Sequence, residues 1–165
     1  MVLPPTVSMS METTIPAQAT QSLNVLLIGN NPIELSVVLE KLQQVRDKKI
    51  ITEIAFDLKS ILERLIRFNP NFIFIDDNLG NLQLRETVSE LSNNRKTKDI
   101  PITVLKNSNY HEAAGSGAAL DYLLKQNLSP DALYNTVKNS LKFRRTQLYL
   151  YQAYQKRKKQ IGKLI

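Results

Sequence analysis

Few residues of this 165-residue chain are placed to do chemistry, and they cluster behind short apolar runs. Gly29-Asn30-Asn31 follows one run, Asp76-Asp77-Asn78 another, and Lys106 and Lys125 each close one more. A carboxylate brought beside two ammonium groups can be kept ionised as a fixed charge. Other chemistries are closed. Without Cys there is no thiolate nucleophile, disulfide or iron–sulfur site. With His111 the only His, neither a two-His metal site nor a His-based triad can form on the chain. Gly29 belongs to no G-x-G-x-x-G fingerprint, which leaves nucleotide binding without support.

The elements that must position these residues follow from the hydrophobic pattern. Asn24–Ile28, Ile51–Phe56, Phe72–Ile75, Pro101–Leu105 and Asp121–Leu124 have strand length and are largely apolar, as strands buried on both faces are. Helical spacing lies between them: Leu35, Val38, Leu42 and Val45; then Ile61, Leu62, Leu65 and Ile66; then Leu84, Val88 and Leu91. Residues 107–118, with Gly115 and Gly117, form a weaker fourth helix, since each Gly costs roughly 1 kcal/mol against Ala. Asn31-Pro32 and Ser129-Pro130-Asp131 have the cap and first-turn chemistry of helix starts. Leu133, Val137 and Leu141 make the inner stripe of the last helix. Strand and helix alternate five times, so the expected fold is α/β: a doubly wound, five-stranded parallel sheet. In such sheets the working residues lie at the carboxyl ends of the strands. The polar groups above all sit there.

Four segments in register resemble a response-regulator receiver domain of the CheY-like superfamily. They are Val25–Pro32, Pro70–Asp76, Ile100–Leu105 and Asp121–Lys125, and the resemblance covers residues 24 to about 141. It implies the flavodoxin-like strand order 2-1-3-4-5, that Asp76 stands where receivers are phosphorylated and that Asn78 supplies a backbone carbonyl to Mg²⁺. It also implies that Lys125 is the lysine that pairs with the phosphoryl group and Tyr122 the aromatic switch residue. Two departures weigh against a working site. The acidic metal-binding pair of the family is here Gly29-Asn30, and the Ser/Thr that follows the fourth strand is here Lys106. Gln126 also stands where a proline is usual.

Mg²⁺ takes six near-octahedral oxygens, commonly one or two of them carboxylates. Gly29 offers no side chain and Asn30 only a neutral carbonyl. Asp77 is expected to point away, because successive strand residues face opposite sides. Lys106 either reaches Asp76 alongside Lys125, making the aspartate a locked structural anion, or points into solvent. The expectation is a degenerate (pseudo) receiver with no enzymatic activity and no cofactor, working by protein contact with a signalling partner such as a histidine kinase or an output protein. The alternative is a phosphorylatable receiver using Asp76 with Mg²⁺.

Charge divides the chain unevenly. Residues 141–165 hold eight Lys/Arg and no acid, while residues 1–140 hold fourteen bases against fifteen acids. Nothing stops the last helix before Gly162, so residues 142–165 read as a basic helical extension of the 23–141 domain. Phe143, Leu150, Arg157 and Leu164, with Gln147, Tyr154 and Ile161 between them, make an imperfect heptad that could pair two copies. The face formed by the fourth helix, fifth strand and last helix, which receivers use for partners, is the other route to a homodimer. Nucleic-acid binding has bases and tyrosines in its favour but no DNA-binding motif. Residues 1–22, with three Pro and no periodic pattern, are expected to be disordered. They lack the features of a signal peptide, and no apolar run is long enough to span a membrane, which points to the cytoplasm.

Overall fold

The computed structural model describes residues 22–107 and 121–163. The expected disorder of the N-terminal segment, the weak helix over 107–118 and His111 all fall outside those residues, apart from Ser22 and Asn107. Five strands pair in parallel: β1 (Leu23–Ile28), β2 (Ile50–Ala55), β3 (Phe72–Asp76), β4 (Ile102–Lys106) and β5 (Asp121–Leu124). Their order across the sheet is β2-β1-β3-β4-β5, the doubly wound arrangement expected from the sequence. The helices are α1 (Pro32–Gln43), α2 (Leu58–Leu65), α3 (Asn81–Asn93) and α4 (Pro130–Gly162).

The two faces of the sheet make two cores. Val25, Leu27, Phe72, Phe74 and Leu105 pack under α1 and α4, through Leu35, Val38, Leu42, Leu133 and Val137. Leu26, Ile28, Ile73 and Ile75 pack under α2 and α3, through Ile61, Leu65, Val88 and Leu91. Both faces being covered is why these strands read as unbroken apolar runs. The stripes predicted for the first two helices are trimmed. Val45 lies past the end of α1, and Leu62 and Ile66 are exposed because only Ile61 and Leu65 face the sheet.

Helix starts follow the cap chemistry. The Asn31 side chain accepts from the amides of Ile33 and Glu34, with Pro32 at the first helical position. Asp57 and Ser60 form a reciprocal capping box at α2, an arrangement the hydrophobic pattern did not single out. Ser129 Oγ accepts from the Ala132 amide. With Pro130 behind it, this cap launches a single 33-residue helix of about 50 Å at 1.5 Å per residue. Its first three turns bury Leu133 and Val137, and every residue from Lys142 to Lys163 except Gln155 is exposed. Among the described residues no helix is long and apolar enough to cross a membrane.

Candidate functional site

The carboxyl ends of β1, β3 and β5 and the first turn of α1 converge on one carboxylate, Asp76. It is the last residue of β3 and 1% exposed. Its Oδ1 accepts from Lys125 Nζ at 2.6 Å and from the Asn78 amide at 2.9 Å. Its Oδ2 is buried without a hydrogen-bond partner among the described residues. Lys125 opens a short 3-10 turn after β5, which lets its ammonium lie over the end of β3.

That ammonium touches two further acids. Glu34 Oε2 lies 2.7 Å from Lys125 Nζ, and Asp77 Oδ1 lies 3.5 Å from it. The position of Asp77 corrects the strand-alternation expectation. Asp77 has already left the strand, because residues Asp77–Leu79 form a 3-10 turn that brings its carboxylate back toward Lys125.

Three asparagines tie the cluster together. Asn78 Nδ2 donates to Glu34 Oε2, and Asn107 Nδ2 donates to Asn78 Oδ1 at 2.9 Å. The Asn107 backbone amide donates to Asp77 Oδ2 at 3.2 Å. Asn30 Nδ2 donates to the Asn78 carbonyl oxygen at 3.2 Å.

The titration of the cluster follows from this geometry. Burial is the strongest influence on Asp76 and raises its pKa above the ordinary carboxylate value, although Lys125 and the Asn78 amide pull the other way. Glu34 is more open, and its bond to Lys125 holds its pKa below the ordinary value. For Lys125, burial works against the charge, but the bonds to Asp76 and Glu34 outweigh it and raise the pKa.

Lys106 does neither of the things expected of it. Its Nζ sits 3.8 Å from the centre of the Tyr122 ring, a cation–π contact. Strand register explains why. Asp76 is paired with Leu105, so these two share a face of the sheet and Lys106 takes the other. Tyr122 pairs with Val104 and therefore lies on the Lys106 face, 41% exposed. Asp76 has one lysine partner, Lys125, and the two-ammonium arrangement does not form.

Gly29 lies directly beneath the cluster. A Cβ there would stand 2.8 Å from Leu35 Cδ2 and 3.0 Å from Asp76 Cβ, so the backbone approach leaves little room for a side chain. Of the sequence-derived site residues, Asp76, Asn78 and Lys125 come together, with Asn30 at the rim and Gly29 as the floor. Lys106 and Tyr122 form a separate pair.

Glu34 and Asn107 were not identified from the sequence. Glu34 had a usable signal: the Asn31 cap and Pro32 fix it as the third residue of α1, where a Glu side chain overhangs the helix start.

The residues present do not fit a Mg²⁺ ion as they stand. No acid follows β1, and the Asn78 carbonyl faces an N–H donor from Asn30. The center of the carboxylates is filled by an ammonium, and among the described residues no three acidic or His side chains are arranged to hold a metal.

No family model matches the chain, and no curated protein matches it in sequence. Solved structures do. The receiver domain of a sensor histidine kinase from Pseudomonas aeruginosa PAO1, which has magnesium coordinated in its active-site cleft, superposes with a TM-score of 0.61 at 18% identity. That match covers 73% of this chain and 98% of that one. The chemotaxis response regulator CheY4 of Vibrio cholerae gives a TM-score of 0.57 at 21% identity, covering 72% of this chain and 98% of that one. This chain has the receiver fold. A receiver-modulated diguanylate cyclase from Pelobacter carbinolicus extends the comparison, at 18% identity and a TM-score of 0.56, over 76% of this chain and 97% of that one. Within this shared receiver fold, the carboxylate cluster of the present chain surrounds Lys125.

Proposed function

We propose that the chain is a pseudo-receiver, a module of two-component-type signalling that works by protein contact without an aspartyl phosphate. The observation that carries this reading is the Lys125 ammonium held between Asp76 and Glu34 at 2.6 and 2.7 Å. Phosphoryl transfer to a carboxylate gathers negative charge that a divalent cation normally offsets. Here Gly29 and Asn30 supply no carboxylate for that cation. One oxygen of Asp76 is already engaged by Lys125 and Asn78, and the other is buried.

The partner in this reading is a signalling protein, a histidine kinase or an output protein. Its docking surface is the β5 edge, where Tyr122 and Lys106 present an aromatic–cation pair on one side of the sheet and α4 runs along the other. Residues Asp76 and Lys125 serve as an internal brace beneath that surface. A homodimer through the exposed part of α4 would place Arg157 and Gln147 in its seam, so the protein partner is the favoured occupant.

The test is incubation of the full chain with beryllofluoride and Mg²⁺, or with a small phosphodonor, read by mass and amide chemical shifts. No adduct is expected. An acyl phosphate on Asp76 would establish the alternative, a phosphorylatable receiver.

A further inference from the structure

Lys125 is surrounded by more negative charge than one ammonium balances. Asp76 Oδ1, Glu34 Oε2 and Asp77 Oδ1 stand 2.6, 2.7 and 3.5 Å from its Nζ. The flanking Asn78 and Asn107 groups add hydrogen bonds but no positive charge. Asp76 Oδ2, on a residue 99% buried, adds a fourth acidic oxygen with no partner among the described residues. Glu34 is the third residue of α1, where the Asn31 side chain accepts the Ile33 and Glu34 amides. Its carboxylate turns to Lys125 and to Asn78, 91 and 44 residues away in sequence.

We propose that the Lys125 ammonium is the resident cation of this site, held by Glu34, Asp76 and Asp77, and that it excludes divalent ions by occupying their place. The inference rests on the reading of the site as one that takes up no metal, and goes beyond it by naming the cause. An alkylammonium and a small divalent ion both seek carboxylate oxygens. The ammonium hydrogen-bonds Asp76 and Glu34 and meets Asp77 as a looser ion pair, whereas Mg²⁺ draws its ligands in to about 2.0–2.1 Å and retains several waters. Glu34, delivered from α1, replaces on this chain the charge that β1 does not provide. As they stand the three carboxylates are not arranged to hold a metal; removing the ammonium frees them to close in on a hard divalent cation.

The experiment uses the full chain and Mg²⁺ or Mn²⁺ alone, with calorimetry and thermal melting. The native protein should take up neither ion at millimolar concentration. Lys125→Met should melt lower in the absence of metal, bind one ion per chain, and melt higher as the logarithm of ion concentration increases. Lys125→Met combined with Glu34→Gln should lose that response. A silent Lys125→Met, or a double variant that binds as well as the single one, would overturn the proposal.

Should Lys125→Met fail to fold, lysine-¹⁵N labelling of the native chain decides the matter. The Lys125 ammonium resonance should be protected from exchange, unmoved by MgCl₂ and weakened by Glu34→Gln. Its displacement by MgCl₂ would refute occupancy. An acyl phosphate on the native chain refutes the contact-driven function, whereas an ion-silent Lys125→Met refutes only the resident-cation inference.

Discussion

Replacing Lys125 by Met tests the energetics of the cluster most directly. Lys125 is the one cation within reach of Asp76 among the described residues, and the Asp76 side chain is 1% exposed. Removing one partner of such a pair leaves a buried charge uncompensated, which costs about 3–5 kcal/mol. Removing the other partner costs less. Asp76→Asn leaves Lys125 bonded to Glu34, whose side chain is 38% exposed, and relieves the burial that already disfavours the Asp76 charge. A loss of about 1–2 kcal/mol is expected there, the range for one hydrogen bond to a charged group. The double variant should recover most of what Lys125→Met loses, because the orphan charge has gone. Urea unfolding of the four proteins gives the coupling directly, expected at about 2 kcal/mol or more against the few tenths seen for independent sites. If Asp76→Asn proves the more damaging single change, or the two losses simply add, the account of Asp76 as an anion braced by Lys125 fails.

The pH dependence has a sign on each side. Lys125 has a raised pKa in the fold, so its contribution is complete below the unfolded value of 10.5 and disappears as pH rises through the higher folded value. Native stability should thus fall above about pH 10.5 more steeply than that of Lys125→Met, as urea midpoints across the alkaline range would show. Glu34 has a lowered pKa, so its contribution is complete above 4.5 and is lost as pH falls through the folded value; Glu34→Gln should flatten that acid limb. Gly29→Ala should destabilise by about 1–3 kcal/mol, since its Cβ would crowd both Leu35 and Asp76, and a neutral melting temperature would show that this floor can yield. Lys106→Gln should alter thermal stability by no more than about 1 kcal/mol, the scale of one exposed cation–π contact, while weakening partner capture in a binding assay. A truncation after Leu141 should leave the melting temperature of the domain nearly unchanged. The clearest tie it cuts is the exposed Arg144–Asp99 pair at 3.1 Å, worth about 0–1 kcal/mol.

Much of this fold was legible because burial on both sheet faces writes a strand as a plain apolar run, as in Phe72–Ile75, and because Asn31-Pro32 and Ser129-Pro130 mark helix starts unaided. The site was legible only in part. Asp76, Asn78 and Lys125 could be placed from the ends of their strands. Lys106 could not, because the side it takes depends on the pairing of Asp76 with Leu105, and a one-residue slip of register would have reversed it. Asp77 depended on where β3 gives way to a 3-10 turn. Glu34 is the largest omission. Its local context explains its place at the start of α1, but its partner Lys125 lies 91 residues further on, a distance that no local pattern spans.

The unbroken course of α4 has a mechanical consequence. Its first turns are fixed by Leu133 and Val137 in the core, and the same hydrogen-bonded rod runs on without a hinge to Gly162. The 21 residues beyond Leu141 form a lever of roughly 32 Å, so a tilt of about 5° at the root displaces the tip by about 3 Å. Any repacking under Leu133 is thereby magnified at a distance from the sheet.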